Sequence, residues 1–249
     1  MQPNGSARSG IIAVVAAIIC VGCYLLVRKS NPTSNSAGFP SQQGSDRGAP
    51  SREHLAWMDT QFEHDRSELL KYSATPDFAE YQAEILAFLN DAQKLYQHAH
   101  ARYAAALQAG AQKEAFCYAM VLISAWGRLN TVADGLGSLS QRPESRLARD
   151  TKETMERVQN DYTESVSILA QYSQDSESVK KYRENPAELD GLLRSGFVKI
   201  EESRSLLEKN EVLGAWLSVM HADLFVSAVW ERLLGFQGQK YQSRTTGRP

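Results

Sequence analysis

The chain has 249 residues, enough for one domain of ordinary size with additional segments, and its composition is close to that of an average folded protein. The formal net charge of −2 hides a segregation, because residues 1–50 and 238–249 carry +3 each while residues 51–237 carry −8. This acidic body excludes a typical nucleic-acid-binding surface, which must neutralise phosphates. Plentiful Ala, Leu, Glu, Gln and Lys, with little strand-like alternation, predict an all-α fold.

The first element is an apolar run at residues 11–27, which has no charge and is followed by Arg28 and Lys29. As a helix it would span roughly 25 Å, near the lower limit for crossing a bilayer, and the two basic side chains can reach the headgroups. We therefore predict a single transmembrane anchor at residues 10–29, preceded by a short tail at residues 1–9.

Two alternatives to the anchor are a cleaved signal and a lipid attachment site at Cys23. The run lacks an Ala-x-Ala-like cleavage site, which disfavours a signal peptide. It also continues past Cys23, and Cys20 occupies the place where a lipoprotein signal usually has Leu. Basic residues flank both ends, so the side on which the body lies stays open, with the positive-inside rule favouring the cytoplasm.

The segments on either side of the body are poor in large apolar residues. Residues 30–50 are rich in Ser, Asn, Pro, Gly and Gln, and residues 238–249 have a similar composition with three basic side chains. Such segments bury too little surface to order themselves. We expect a disordered linker, then an acidic helical bundle at residues 51–237, then a disordered basic tail.

The first two helices of the bundle are predicted at residues 52–72 and 76–109. Ser51 is the expected cap of the first, and Asp65 interrupts its apolar stripe. Thr75 is the expected cap of the second, which Pro76 opens. The second helix has a heptad-like spacing suited to close helix packing, at Phe78, Tyr81, Ile85, Phe88, Ala92, Leu95 and Ala99.

The third and fourth helices are predicted to differ in burial. The third, at about residues 112–138, contains "AFCYAMVLISAW" and is apolar on all sides, so it should be central. The fourth, at about 143–183, is long and highly charged and should lie outside. It has an expected break near residues 173–178, "SQDSES".

The fifth and sixth helices form a second hairpin in this interpretation. The fifth opens at residues 185–188, "NPAE", where Asn185 is the expected cap and Glu188 the expected partner in a capping box. Its apolar stripe is Leu189, Leu193, Phe197 and Ile200. A tight turn at Lys209-Asn210 leads to the sixth helix, at about 211–236. This helix is apolar nearly all round, but its central His221 and Asp223 would be costly in lipid, so we predict a core helix.

The two apolar helices contain weakly similar segments, "ISAWGRL" at 123–129 and "VSAVWERL" at 226–233. Two hairpins of this kind are expected to stack around a shared core. Residues 103–119, "YAAALQAGAQKEAFCYA", also resemble the inter-helix turn of a tetratricopeptide repeat. That resemblance covers one hairpin without the repeat's early Trp-Leu-Gly signature or its 34-residue period, so it implies similar packing alone.

Common catalytic and metal-binding motifs are absent from the sequence. It has no Glu-x-x-His pair, no Cys/His zinc spacing, no Gly-rich phosphate loop and no Gly-x-Ser-x-Gly. We therefore predict no catalytic activity, no metal and no cofactor. The candidate ligand-binding residues are polar or aromatic side chains of the apolar sixth helix: Trp216, Ser218, His221, Asp223 and Trp230. Their alternative role is internal hydrogen bonding and core packing, with Asp65 as one expected partner.

The sequence therefore predicts a single-pass membrane protein whose tethered helical bundle acts as an adaptor or scaffold for a protein partner. The expected docking place is a groove between the hairpins or along the fourth helix. The alternative is a membrane-tethered sensor or carrier that holds a small apolar ligand within the bundle, near His221. No nucleic-acid partner is expected, and the oligomeric state stays open.

Overall fold

A computed structural model describes residues 52–237, and this part of the chain is all-α, as predicted. The predicted tail at 1–9, the anchor at 10–29 with its alternative at Cys23, the linker at 30–50 and the basic tail at 238–249 lie outside the described residues. Ser51, the expected cap of the first helix, also lies outside them.

Seven α-helices make up the described part of the chain, with 3₁₀ helices at Pro76–Tyr81 and Leu139–Gln141 and a further helical turn at 234–237. They are α1 (Arg52–Ser73), α2 (Gln82–Gln108), α3 (Gln112–Gly137), α4 (Glu144–Gln174), α5 (Ser176–Tyr182), α6 (Pro186–Glu208) and α7 (Val212–Arg232).

The two predicted hairpins, α2–α3 and α6–α7, are present and stack through α3 and α7. These two helices run antiparallel, since Trp216 of α7 lies against Gly135 of α3 and Arg128 of α3 reaches Asp223 of α7. The other neighbours of α7 are α2, α4 and α6, and α1 packs on α2 and α3. The apolar helix α7 is therefore central, because neighbouring helices bury nearly every side of it. The helix α3, also predicted to be apolar on all sides, is buried on only part of its surface, since Phe116 is 51% exposed.

The start of the second helix differs from the prediction. Residues 76–81 form a 3₁₀ helix, and Phe78, with φ −117° and ψ 15°, interrupts the helical path before α2 begins at Gln82. The Thr75 hydroxyl donates to the Tyr72 carbonyl at 2.8 Å and makes no bond to the following turn. Thr75 therefore occupies the predicted N-cap position, followed by Pro76, but its side chain makes no capping hydrogen bond, because its hydroxyl binds the carbonyl of Tyr72 in the preceding helix.

The predicted break in the fourth helix is present at Asp175, which separates α4 from α5. The Asp175 carboxylate accepts from the Ser178 backbone N–H at 3.1 Å and caps α5. Asn185 caps α6 as predicted, accepting from the Ala187 N–H at 3.1 Å. The expected partner in the capping box, Glu188, instead accepts from Arg232 of α7 at 2.8 Å.

Both hairpin turns contain one residue with a left-handed backbone. Gly110 between α2 and α3 has φ 67°, and Asn210 between α6 and α7 has φ 62°. Glycine and asparagine are the residues that adopt this conformation most readily, so each turn is set locally by its sequence.

The helix α7 is, among the described residues, the one long and apolar enough to cross a membrane by length and composition. Its most apolar window has a mean hydropathy of 1.6, but 89% of that window is buried inside the protein. A core helix passes the same test of length and hydropathy, and the burial of α7 agrees with the prediction of a core helix.

Candidate functional site: the polar groups of α7 and the α4–α6 surface

The two charged or ionisable residues at the centre of α7 face different neighbouring helices. His221 and Asp223 are two positions apart, which separates them by about 200° around a helix. Accordingly, His221 contacts α2, while Asp223 contacts α3 and α4. The sequence placed both residues in one candidate site, and the structure distributes them between two separate clusters.

His221 is buried between two carboxylates of α2. Its Nδ1 lies 2.9 Å from Glu84 Oε1, and its Nε2 lies 3.2 Å from Asp91 Oδ2. Each ring nitrogen of His221 therefore faces one carboxylate oxygen of α2. Lys199 of α6 adds a 2.6 Å contact to Glu84 Oε2. Burial alone would raise the pKa of Glu84, but hydrogen bonds from His221 and Lys199 outweigh it, so that pKa is lowered.

Asp223 is buried between two arginines of different helices. Arg157 of α4 binds it with both Nη atoms, at 3.1 and 2.9 Å, and Arg128 of α3 approaches it at 3.1 and 3.2 Å. Burial would raise the pKa of Asp223, but these two guanidinium groups outweigh it and lower that pKa. The carboxylate thus links α3 and α4, which flank α7, through one bidentate pair and a second arginine.

Arg232, at the end of α7, is the centre of a third cluster. Its Nη2 lies 2.6 Å from Glu184 Oε2, and its Nη1 lies 2.8 Å from Glu188 Oε1. The other oxygen of Glu184 accepts from the hydroxyl of Tyr118. The Tyr172 hydroxyl lies 3.1 Å from the backbone nitrogen and the carbonyl of Glu184. Five elements therefore meet in this cluster: α3, α4, α6, α7 and the segment before α6.

The remaining candidate residues of α7 have separate surroundings. Trp216 packs so closely against Gly135 that a side chain there would overlap its ring, which makes it a core-packing residue. Ser218 Oγ is buried and has no hydrogen-bond partner. Trp230 is partly exposed. The structure does not bring all five candidates to one place, and the ligand site stays a prediction.

Asp65 has a different partner from the one expected. Its Oδ2 accepts from Trp126 Nε1 of α3 at 2.9 Å, and it is not bonded to the polar groups of α7. Burial raises the pKa of Asp65, and the indole hydrogen bond acts against this rise. The polar residue that interrupts the apolar stripe of α1 therefore fastens α1 to α3.

Several important residues were missed by the sequence interpretation. Arg128 and Arg232 occupy equivalent positions in the two similar segments of the apolar helices, each followed by Leu. This similarity was the sequence signal that could have identified them. Glu231 precedes Arg232 at the end of α7. Its Oε2 is buried without a hydrogen-bond partner, and burial raises its pKa to about 8. Glu84, Asp91 and Arg157 gave no signal, because charged residues are common on amphipathic helices.

Apolar side chains are exposed on both α4 and α6, two helices that pack against each other. Phe197 of α6 was predicted to face the core, but 41% of its surface is exposed and its ring centroid lies 5.4 Å from that of Tyr162 of α4. One turn after Tyr162, Val166 is 40% exposed, and Val198 follows Phe197 in the chain. Tyr162, Val166, Phe197 and Val198 are called the α4–α6 surface below.

Within residues 52–237 there is no group of three or more His, Cys, Asp or Glu side chains placed to hold a metal ion. Comparisons of the chain with protein-family models, curated proteins and solved structures found no match.

Proposed function

We propose that this chain is a single-pass membrane-anchored adaptor that binds a protein partner through the α4–α6 surface and catalyses no reaction. The membrane part of the proposal rests on the uncharged apolar run at residues 11–27. The binding part rests on one observation, the clustering of exposed apolar side chains on α4 and α6.

Exposed large apolar residues are unevenly distributed over the described part of the chain. Its exposed large apolar residues are Leu70, Phe116, Val166, Phe197 and Val198, and three of these five are on α4 and α6. Single exposed apolar side chains are ordinary, whereas a contiguous patch favours an interaction site. The aromatic pair of Tyr162 and Phe197 supplies the kind of anchor around which binding energy concentrates.

Charged side chains of α6 lie beside this surface. Asp190 and Arg194 form an ion pair at 2.6 Å, and Glu201 pairs with Arg204. An apolar centre with a polar rim is the usual anatomy of a protein interface. The surface also includes residues of α4, which forms most of the fourth predicted helix, one of the two docking places predicted from the sequence beside a groove between the hairpins.

The test is crosslinking of the tagged full-length protein in its native membrane, followed by identification of what co-purifies. Phe197→Glu places a charge in the centre of the α4–α6 surface and is expected to abolish recovery of the partner. Phe116→Glu is the matched control, because Phe116 of α3 is 51% exposed and belongs to a different helix. This control is expected to retain the partner.

The melting temperature of each variant in detergent separates loss of binding from loss of folding. Recovery of the same partner with folded Phe197→Glu would remove the α4–α6 surface from the proposal. Absence of any reproducible protein partner from the wild-type sample would contradict the adaptor function itself. Deletion of residues 10–29 is expected to release the protein from the membrane fraction, which tests the anchor separately.

A further inference from the structure

One exposed face of α6 carries a regular row of side chains with an aromatic residue at its centre. The row has five residues at spacings of 4, 3, 4 and 3 positions and is called the α6 stripe below: Asp190, Arg194, Phe197, Glu201 and Arg204. At about 100° per residue, they lie within about 80° of the helix circumference. The four charged side chains are between 44% and 79% exposed, so the whole stripe is open to a partner.

The aromatic centre of the stripe is held in place by α4. The centroid of the Phe197 ring lies 5.4 Å from that of Tyr162, while 41% of Phe197 stays exposed. The next residue, Val198, is 62% exposed. The stripe thus has a positioned apolar centre with one charged pair before it and one after it.

The order of charges along the α6 stripe is complementary to its own reverse. Read in chain order, the stripe is negative, positive, aromatic, negative and positive. An antiparallel copy presents the opposite order, so Arg194 lies opposite Glu201 of the second copy. Asp190 lies opposite Arg204 of the second copy in the same alignment, because both are seven positions from Phe197. A parallel copy in the same register would instead bring like charges together, which is unfavourable.

We propose that the α6 stripe pairs with the α6 stripe of a second copy of this chain, antiparallel and across a two-fold axis near Phe197. In such an interface each contact occurs twice, so four opposite-charge contacts surround the two aromatic side chains. The inference rests on the proposed function, since it names a second copy as the partner of the α4–α6 surface.

The charged pairs within each stripe are compatible with this association. Asp190 and Arg194 are 2.6 Å apart, and Glu201 contacts Arg204 in the same helix. Each arginine keeps this partner and gains a carboxylate from the second copy. Ion pairs joined in a network count for more than isolated exposed pairs, so the paired stripes are favoured over the separate ones.

The test exchanges the charges at positions 194 and 201 and measures the dimer dissociation constant of the full-length protein in detergent by sedimentation. In its own dimer, Arg194→Glu places a glutamate opposite Glu201 at two contacts, and Glu201→Arg places two arginines opposite each other likewise. Each variant alone is expected to raise the dissociation constant roughly tenfold. An equal mixture of the two variants restores opposite charges at both contacts, so mixed dimers should form about as tightly as wild type.

The matched controls are Arg149→Glu and Glu153→Arg, which make the same charge changes in an exposed ion pair of α4. These positions lie about 140° to 180° around α4 from Tyr162, so both variants should keep the wild-type constant. Thermal melting checks that each variant is folded, and recovery on mixing requires that both are.

A wild-type protein that stays monomeric would overturn this inference. Single variants that associate as tightly as wild type, or a mixture that does not recover association, would overturn it too. The proposed function survives these results if crosslinking in the native membrane recovers a different protein that Phe197→Glu releases. A monomeric wild type that recovers no other protein would contradict both.

Discussion

Arg232 Nη2 and Glu184 Oε2 form an ion pair 2.6 Å long in which 2% and 3% of the two side chains are exposed. Removing one partner of a buried pair leaves an uncompensated charge, whereas replacing both is far less damaging. This pair joins the end of α7 to the segment before α6. The two residues are 48 positions apart in the chain, so the pair is a tertiary contact.

Arg232→Met is expected to lower the free energy of unfolding by about 3–5 kcal/mol, since Glu184 then stays buried without its cation. Thermal melting of the full-length protein in detergent measures the effect. Arg149→Met is the control, because Arg149 is exposed and its ion pair with Glu153 is 3.9 Å long. That change should cost less than about 1 kcal/mol.

A double variant, Glu184→Gln with Arg232→Met, sharpens this prediction. Glutamine keeps an acceptor for Tyr118 but carries no charge, so part of the stability lost in Arg232→Met should return. A double variant less stable than Arg232→Met would show that the carboxylate acts through its hydrogen bonds with tyrosine more than through its charge.

Asp223→Asn is expected to lower the free energy of unfolding by about 3 kcal/mol at pH 7, because Arg128 and Arg157 lose their shared carboxylate. Since the pKa of Asp223 is lowered by folding, its contribution is complete above the ordinary aspartate value near 4. The contribution disappears as the pH falls through the lowered folded pKa.

The difference between wild type and Asp223→Asn should therefore shrink between pH 4 and pH 2, as measured by denaturant unfolding across this range. Asp161→Asn is the control, since Asp161 contacts the same Arg157 but has 44% of its side chain exposed, against 6% for Asp223. It should change stability by less than about 1 kcal/mol. A constant difference for Asp223→Asn down to pH 2 would contradict the lowered pKa.

Glu231→Gln is expected to stabilise the protein at pH 8 and to have little effect at pH 4. Burial raises the pKa of Glu231 from 4.5 to about 8, so the unfolded chain releases this proton more readily than the folded chain. Wild-type stability therefore falls as the pH rises from 4.5 to about 8, whereas a neutral glutamine removes that loss. At about 1.36 kcal/mol per pKa unit, this shift corresponds to a gain of up to about 4 kcal/mol at pH 8.

Melting of wild type and Glu231→Gln at both pH values measures this gain. Glu164→Gln, at an exposed position of α4, is the control and should be neutral at both. Equal stability of wild type and Glu231→Gln at pH 8 would show that Glu231 ionises as freely in the folded protein as in the unfolded chain.

The parts of the fold that the sequence predicted are those specified by neighbouring residues. Asn185 caps α6, Asn210 makes the turn before α7, and the break at Asp175 follows from a polar run. Each depends on residues within one helical turn. The missing side-chain cap at Thr75 also depends on residues within one helical turn. The turns before and after Thr75 compete for its hydroxyl, and the sequence does not show which of them binds it.

The candidate site was predicted less well, since its contacts join residues far apart in the chain. Arg128 and Asp223 are separated by 95 positions, and His221 and Glu84 by 137. Their pairing depends on the register between packed helices, which apolar periodicity does not specify. The exposure of Phe197 was missed for a related reason. The apolar stripe of α6, the fifth predicted helix, is wider than the part of its surface that α7 covers, and Phe197 lies outside the covered part.

Gly135→Ala is expected to destabilise the protein by about 1–3 kcal/mol, because the added methyl group would overlap the ring of Trp216. Gly127→Ala is the control in the same helix. No atom lies within 4 Å of its added Cβ, so alanine should stabilise α3 by up to about 1 kcal/mol. Opposite signs for the two variants in thermal melting would establish Trp216 as a packing residue of the α3–α7 interface. A neutral Gly135→Ala would instead show that the Trp216 ring has free space beside it, as a ligand site requires.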